Sequence, residues 1–230
     1  MYTVKEAFYT LQGEGARAGR ASVFCRFAGC NLWSGRERDR DTSICRFCDT
    51  DFVGTDGQNG GKFREAQALA DFLTGLWPEH SGIATPYVVF TGGEPLLQLD
   101  SALIDAMHAR GFEIAVETNG TVIPPAGIDW LCVSPKGTST LVIERGDELK
   151  LVYPQPEALP ERFASLDFAN FYLQPLDTAA LDALPAPAAA LTHYREVLAR
   201  DTPMAQCVNY CMANPQWQLS LQTHKISGID

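Results

Sequence analysis

Apolar positions fall into two rhythms along this chain. Short runs rich in β-branched and aromatic residues predict strands at 22–27, 87–90, 113–117, 130–133, 149–152, 171–173 and 217–221. Segment 5–10 reads as a short strand or an ordered arm. Leu69, Phe72, Leu73 and Leu76 recur at helical spacing, which predicts an amphipathic helix over 64–77 stopped by Pro78. Leu103, Ile104 and Met107 give one face of a helix over 100–110, with Gly111 as its C-terminal cap. Segment 54–61, rich in Gly, Asp and Asn, is a loop, and 185–190 is a Pro/Ala connection at the surface. Residues 191–212 read as mostly helical, interrupted at Asp201-Thr202-Pro203, and no internal repeat is visible.

Alternation of strands with helices argues for a parallel α/β sheet. The run 87–90 is continuously apolar, the mark of a strand covered on both faces. A complete eight-stranded barrel typically takes roughly 250 residues. With 230 residues, Pro- and Gly-rich loops and about three convincing helices, the expectation is one domain over 1–230. Its fold class is α/β, a partial, open (β/α) barrel of about six parallel strands. Cys30, Thr91, Glu117, Ser134, Gln174 and Gln222 stand just past strand ends. A parallel sheet would gather them at its C-terminal edge, where such folds bind ligands.

Charge narrows the function. With 18 Lys+Arg against 28 Asp+Glu, the formal net charge is −10, which argues against a nucleic-acid surface. Arg36, Arg38 and Arg40 alternate with Glu37, Asp39 and Asp41, the pattern of a solvated, self-paired loop. The N-terminal residues lack the basic start and apolar run of a secretory signal, and no apolar stretch approaches membrane-spanning length. The expectation is a cytoplasmic protein without membrane or nucleic-acid partners. In a reducing compartment, seven cysteines are ligands or buried small hydrophobes rather than a disulfide framework. Cys25 and Cys132 lie in predicted strands and read as core. Cys207 and Cys211 share a helix face, where packing outweighs a second metal site.

The candidate chemistry centres on Cys30, Cys45 and Cys48. Three thiolates can hold a four-iron cluster and leave one iron without a protein ligand. The alternative is a structural zinc, since two cysteines two apart also make a zinc clasp, but no cysteine pair or nearby His supplies a fourth ligand locally. Gly92 and Gly93 follow a strand and suit either a close ligand approach or an ordinary strand-to-helix turn.

The three-cysteine loop, Phe47 and Thr91-Gly92-Gly93-Glu94-Pro95 together resemble the radical S-adenosylmethionine enzymes. A closer resemblance is to the 7-carboxy-7-deazaguanine synthase family of queuosine biosynthesis. It rests on Phe8-Tyr9-Thr10-Leu11-Gln12-Gly13-Glu14-Gly15, Arg26-Phe27-Ala28-Gly29-Cys30-Asn31-Leu32-Trp33, Cys48-Asp49-Thr50-Asp51, Glu117-Thr118-Asn119-Gly120, Val133-Ser134-Pro135-Lys136, Gln174-Pro175-Leu176-Asp177 and Ser220-Leu221-Gln222-Thr223-His224-Lys225. The superfamily usually places three residues between its first two cluster cysteines. Here there are fourteen, as in a subset of the deazaguanine synthases. The longer loop adds little closure entropy, because that cost grows only logarithmically with length.

The resemblance implies a lyase that takes 6-carboxy-5,6,7,8-tetrahydropterin to 7-carboxy-7-deazaguanine by hydrogen abstraction and ring contraction with loss of ammonia. It implies a 4Fe–4S cluster on Cys30, Cys45 and Cys48, with S-adenosylmethionine and Mg²⁺ as further cofactors. The S-adenosylmethionine site would take Phe47, Cys48, Asp49, Gly93, Ser134, Pro135, Lys136, Gln174, Pro175, Leu176 and Asp177. Gly92 and Gly93 would admit the methionine amino group, with backbone carbonyls or Glu94 as acceptors. Mg²⁺ would meet Thr50, a lone hydroxyl suited to an ion that keeps several waters. The substrate would meet Leu11, Gln12, Gly13, Arg26, Thr91 and the terminal Asp230, with Glu14 and His224 as further candidates. Family members often end in proline, so Asp230 is a departure. A flavodoxin or ferredoxin-type electron donor and a homodimer are the implied partners. Two readings compete. A glycyl-radical-enzyme activase would share the cluster and act on a polypeptide, and a zinc module would be colourless and inert.

Overall fold

A computed structural model describes residues 1–79, 84–182 and 189–229. Among the described residues nine strands form a single sheet: β1 (Tyr2–Leu11), β2 (Ala21–Phe27), β3 (Gly61–Phe63), β4 (Tyr87–Gly92), β5 (Glu113–Thr118), β6 (Trp130–Val133), β7 (Arg145–Tyr153), β8 (Asp167–Pro175) and β9 (Trp217–Leu219). Their order is β3-β1-β2-β4-β5-β6-β7-β8-β9. From β2 to β9 every neighbouring pair is parallel, while β1 pairs antiparallel with both β2 and β3. The helices are α1 (Ala66–Thr74), α2 (Ser101–His108), α3 (Ala179–Asp182), α4 (Ala189–Leu198), α5 (Pro203–Ala213) and α6 (Thr223–Ser227). The sheet is thus largely parallel and open, as expected, with one parallel strand more than the six foreseen and an antiparallel edge.

Strand alternation sorts each side chain to a face. Val88, Phe90, Ile114, Val116, Leu149, Leu151, Phe171 and Leu173 pack with Leu69 and Leu73 of α1, Leu103, Ile104 and Met107 of α2, and Cys207 of α5. Each fully buried aliphatic side chain in this layer contributes about 1.5–3 kcal/mol. Cys25 and Cys132 are buried in β2 and β6, as foreseen, and Cys207 is buried under α5. The other face carries Phe24, Arg26, Thr91, Glu117, Lys150 and Gln174 and is open at the strands' C-terminal edge.

Several boundaries differ from the sequence-based expectations. β7 starts four residues before the expected 149–152 strand, because its cavity face is polar and periodicity of apolar residues misses it. β8 likewise extends beyond 171–173, and β9 stops at Leu219. Gly61 belongs to β3 rather than to the loop before it. The expected 64–77 helix narrows to α1, with Gly75 as its C-cap. Asp100 caps α2, accepting from the Leu103 N–H at 3.0 Å. The expected break at Asp201-Thr202-Pro203 separates α4 from α5, and Thr202 caps α5. Most of the 185–190 connection lies outside the described residues.

Candidate functional site

A cavity of about 430 Å³ opens at the C-terminal edge of the sheet. Cys30, Thr91, Glu117, Ser134, Gln174 and Gln222, the strand-end residues singled out above, all line it. So do Cys45 and Cys48.

The long cysteine loop is wound around an arginine. Arg40 is only 4% exposed, so this part of the loop is not the solvated surface its charge pattern suggests. Its guanidinium takes both Glu37 oxygens at 2.7 and 2.6 Å and lies 3.9 Å over the Trp33 ring. The same guanidinium donates to the carbonyls of Arg46 at 3.0 Å and Cys48 at 2.8 Å. At the loop's far end, a bulge in β1 frees Lys5 from the ladder, and its ammonium pairs with Asp51 and Asp56, both at 2.7 Å. These polar links, with buried Leu32, Trp33, Phe47 and Phe52, tie the long loop back to one place.

Each thiol has a distinct electrostatic setting. Burial pushes the Cys30 thiol up, opposed by backbone N–H groups of Leu32 and Trp33. A hydrogen bond with Cys48 and burial push the Cys45 thiol up. The same bond pulls Cys48 down to about 7 against its burial, with help from the Lys136 charge. Among the described residues no three His, Cys, Asp or Glu side chains converge as a single-ion site. A zinc clasp needs four ligands at bonding distance from one point. A four-iron cluster spaces its thiolates around a larger body and accepts N–H donors at sulfur, as Leu32 N gives Cys30 at 3.4 Å. Three thiols lining one cavity, one of them with an N–H donor, are a donor set that fits a four-iron cluster.

The glycine pair after β4 serves the protein's own backbone. A Cβ on Gly92 would lie 2.3 Å from the Phe27 carbonyl oxygen, and one on Gly93 2.3 Å from that of Gly29 and 2.7 Å from Cys30 Cβ. Both glycines let the end of β4 press against the Cys30 loop, and both also line the cavity. Glu94 departs from its expected part. It is fully buried and accepts from Leu96 N, Thr118 Oγ1 and Asn119 N at 3.0, 2.7 and 2.8 Å. Those bonds lower its carboxyl against the larger upward push of burial. Its oxygens clamp β4 to the end of β5, and Glu94 is not among the residues that line the cavity.

The same cavity is lined by a set of paired charges. Lys150, 4% exposed in its side chain, lies 2.8 Å from both Glu14 and Glu117. Burial would raise the Glu14 carboxyl, but the Lys150 ammonium and hydrogen bonds from Lys150 and Gln222 bring it down to about 2. Gln12 donates to Glu117 at 3.3 Å and accepts from Glu14 N at 3.1 Å, which fixes its amide. Arg26 Nε donates to Glu6 at 2.7 Å, so the guanidinium has its partner. Phe8 and Phe24 stack beside that pair, with centroids 6.0 Å apart. Lys150 and Glu148 went unnoticed in the sequence. Their signal is two charges at alternate positions either side of Leu149, in the strand that ends Leu151-Val152-Tyr153.

Leu11, Gln12, Gly13, Arg26 and Thr91 all line the cavity, as do Phe47, Asp49, Thr50, Gly93, Ser134, Lys136, Gln174, Pro175, Leu176 and Asp177. Phe47 is 5% exposed and packs with Leu32, Leu176 and Tyr194. Ser134 Oγ accepts from Lys136 at 2.5 Å. Pro135 lies between them outside the lining, its carbonyl accepting from Gln155 at 3.3 Å. His224 packs against Gly13, where a Cβ would come within 2.4 Å of its Nδ1. Asp230 lies outside the described residues.

Relatives carry this chain's sequence almost end to end. Proteins named 7-carboxy-7-deazaguanine synthase from Bordetella pertussis, Bradyrhizobium diazoefficiens and Nitratidesulfovibrio vulgaris are 61%, 58% and 52% identical, each over 99% of both chains. The chain belongs to the 7-carboxy-7-deazaguanine synthase family. A crystal structure of QueE from Escherichia coli matches the fold with a TM-score of 0.63 at 24% identity, over 96% of this chain and 93% of that one. No family model matches the chain. The deazaguanine synthase relatives extend over both walls of the cavity, the cysteine loop and the charged wall alike.

Proposed function

We propose that this chain converts 6-carboxy-5,6,7,8-tetrahydropterin to 7-carboxy-7-deazaguanine, as a radical S-adenosylmethionine lyase of 7-deazapurine and queuosine biosynthesis. One observation carries the reading: three thiols and a set of paired polar groups line one cavity at the sheet's C-terminal edge. Cys30, Cys45 and Cys48 would hold the 4Fe–4S cluster. Given an electron from the reductant, a cluster held there would supply reductive cleavage of S-adenosylmethionine to methionine and a 5′-deoxyadenosyl radical able to take a hydrogen from the pterin.

The chain's residues bind, orient and shield. Phe47, Cys48, Asp49, Gly93, Ser134, Lys136, Gln174, Pro175, Leu176 and Asp177 would line the S-adenosylmethionine side, with Pro135 setting the turn between Ser134 and Lys136. Arg26 would grip the pterin carboxylate. Glu6 takes its Nε, which leaves the terminal nitrogens for a two-pronged hold. Gln12 is pre-oriented by Glu14 and Glu117, and with Leu11, Gly13 and Thr91 it would meet the pterin edge. Asp230 would complete this side. Thr50 lines the same cavity, and its hydroxyl would reach a Mg²⁺ that templates the substrate oxygens.

All seven cysteines are free thiols, which suits a reducing cytoplasm. One sheet spanning β1 to β9 supports a single domain. A flavodoxin or ferredoxin-type donor and a homodimer follow from the family resemblance. The test is to reconstitute the protein anaerobically, reduce it, and supply S-adenosylmethionine and the carboxypterin with and without Mg²⁺. Deazaguanine product is expected, at a higher rate with Mg²⁺. A brown, reducible protein that cleaves S-adenosylmethionine yet leaves the pterin intact would refute the substrate assignment.

A further inference from the structure

The last helix is held almost entirely by polar contacts. α6 is five residues long and buries none of them, and Ile226 within it is 75% exposed. A helix this short has no stability of its own. Its start is bolted to the pterin side of the site. Both N–H and hydroxyl of Thr223 donate to the Gly13 carbonyl at 2.9 Å, and Gln222 donates to Glu14 at 3.1 Å. Two residues on, the chain reaches the other way. Lys225 Nζ lies 2.8 Å from Asp49 Oδ2 and 2.5 Å from Asp177 Oδ2. Asp49 follows Cys48, and Asp177 ends the segment after β8. Lys225, Asp49, Asp177, Gly13, Gln222 and His224 line the same cavity. Without a cation between them, the two carboxylates would repel. The Lys225 hydrogen bond holds the Asp177 carboxyl below its usual range.

We propose that Lys225 is a positioning residue: by bridging Asp49 and Asp177 it fixes α6 across the cavity mouth and couples the S-adenosylmethionine side of the site to the pterin side. The inference rests on the function proposed above, which assigns those two sides. Order in Asp49 and Asp177 passes through the ammonium to α6, and from α6 to Gly13 and His224. A bound cosubstrate that orders the two carboxylates therefore steadies the wall that meets the pterin. A site whose two halves are uncoupled cleaves its cosubstrate without placing the pterin for reaction.

The test compares wild type, Lys225→Met and Lys225→Arg in the cluster-loaded protein. Amide hydrogen exchange across 223–229 is measured with and without S-adenosylmethionine. In wild type and Lys225→Arg, these amides are expected to be protected and to slow further on adding the cosubstrate. In Lys225→Met they should exchange about tenfold faster and ignore the cosubstrate, a local opening that leaves the sheet peptides unchanged. Turnover should show a several-fold higher KM for the carboxypterin and more 5′-deoxyadenosine released per product. Exchange, KM and product ratio matching wild type in Lys225→Met would overturn the proposal. Faster exchange with unchanged KM and ratio would also overturn it, as would a Lys225→Arg protein that behaves like Lys225→Met. If no variant makes deazaguanine, the proposed reaction fails instead. The exchange comparison needs no turnover and still decides whether Lys225 holds α6.

Discussion

Lys150→Met removes the cation at the centre of the charged wall. The side chain is almost wholly buried, and the substitution roughly keeps its volume, so the change is electrostatic rather than a cavity. Wild type holds the Glu14 carboxyl at about 2, against an ordinary 4.5, and the Glu14 side chain is 19% exposed. That interval of about 2.5 pH units corresponds to ~3 kcal/mol at pH 7. It agrees with the ~3–5 kcal/mol lost when one partner of a buried pair is removed. The sign with pH follows. A depressed carboxyl stabilises the fold above 4.5 and loses that contribution as pH falls toward 2. Once Lys150 is gone, burial is the largest influence left on the Glu14 carboxyl and pushes it up. The variant then gains stability on acidification from pH 7 to 5, where wild type gains none from this group. Urea unfolding of both proteins, at equal cluster content and without oxygen, should give a deficit of ~3 kcal/mol at pH 7 that shrinks at pH 5. A deficit below ~1 kcal/mol, or one that does not change with pH, would refute the view that Lys150 neutralises this wall.

Three further outcomes follow from the geometry. Gly93→Ala places a Cβ against the Gly29 carbonyl and Cys30 Cβ, so overpacking of ~1–3 kcal/mol should displace the Cys30 loop. Iron content after reconstitution should fall, and a full complement would show that the backbones can part. Arg40→Met strips donors from the Arg46 and Cys48 carbonyls, each costing ~1–3 kcal/mol if left unsatisfied, so iron and sulfide per chain should drop, with Lys at this position intermediate. Unchanged content in Arg40→Met would mean the loop is ordered by other contacts. Arg26→Ala should raise the carboxypterin KM about tenfold or more, as expected for a lost charged hydrogen bond, while S-adenosylmethionine cleavage persists. An unaltered KM would count against the carboxylate grip.

The sequence alone missed β3 but located the parallel strands, the helix-covered face and the edge where the strand-end polar residues gather. Periodicity suffices for this, because Val88, Phe90, Leu103 and Met107 report locally which side of an element must leave water. The three cysteines and the glycine pair were equally visible, since their residue types carry the chemistry. Only the tertiary structure decided the fate of the charges. Arg40 reads as a surface residue in an alternating run, and it is buried because Trp33 and two carbonyls wait for it. Glu94 reads as a ligand group, and three donors from β5 and the turn before α2 turn it into a clamp. Lys150 needs Glu14 and Glu117, and Lys225 needs Asp49, 176 positions away. An apolar residue's preference for the interior is its own property. A charged residue can be buried only where distant chain supplies its partner, and that partner exists only once the sheet has formed.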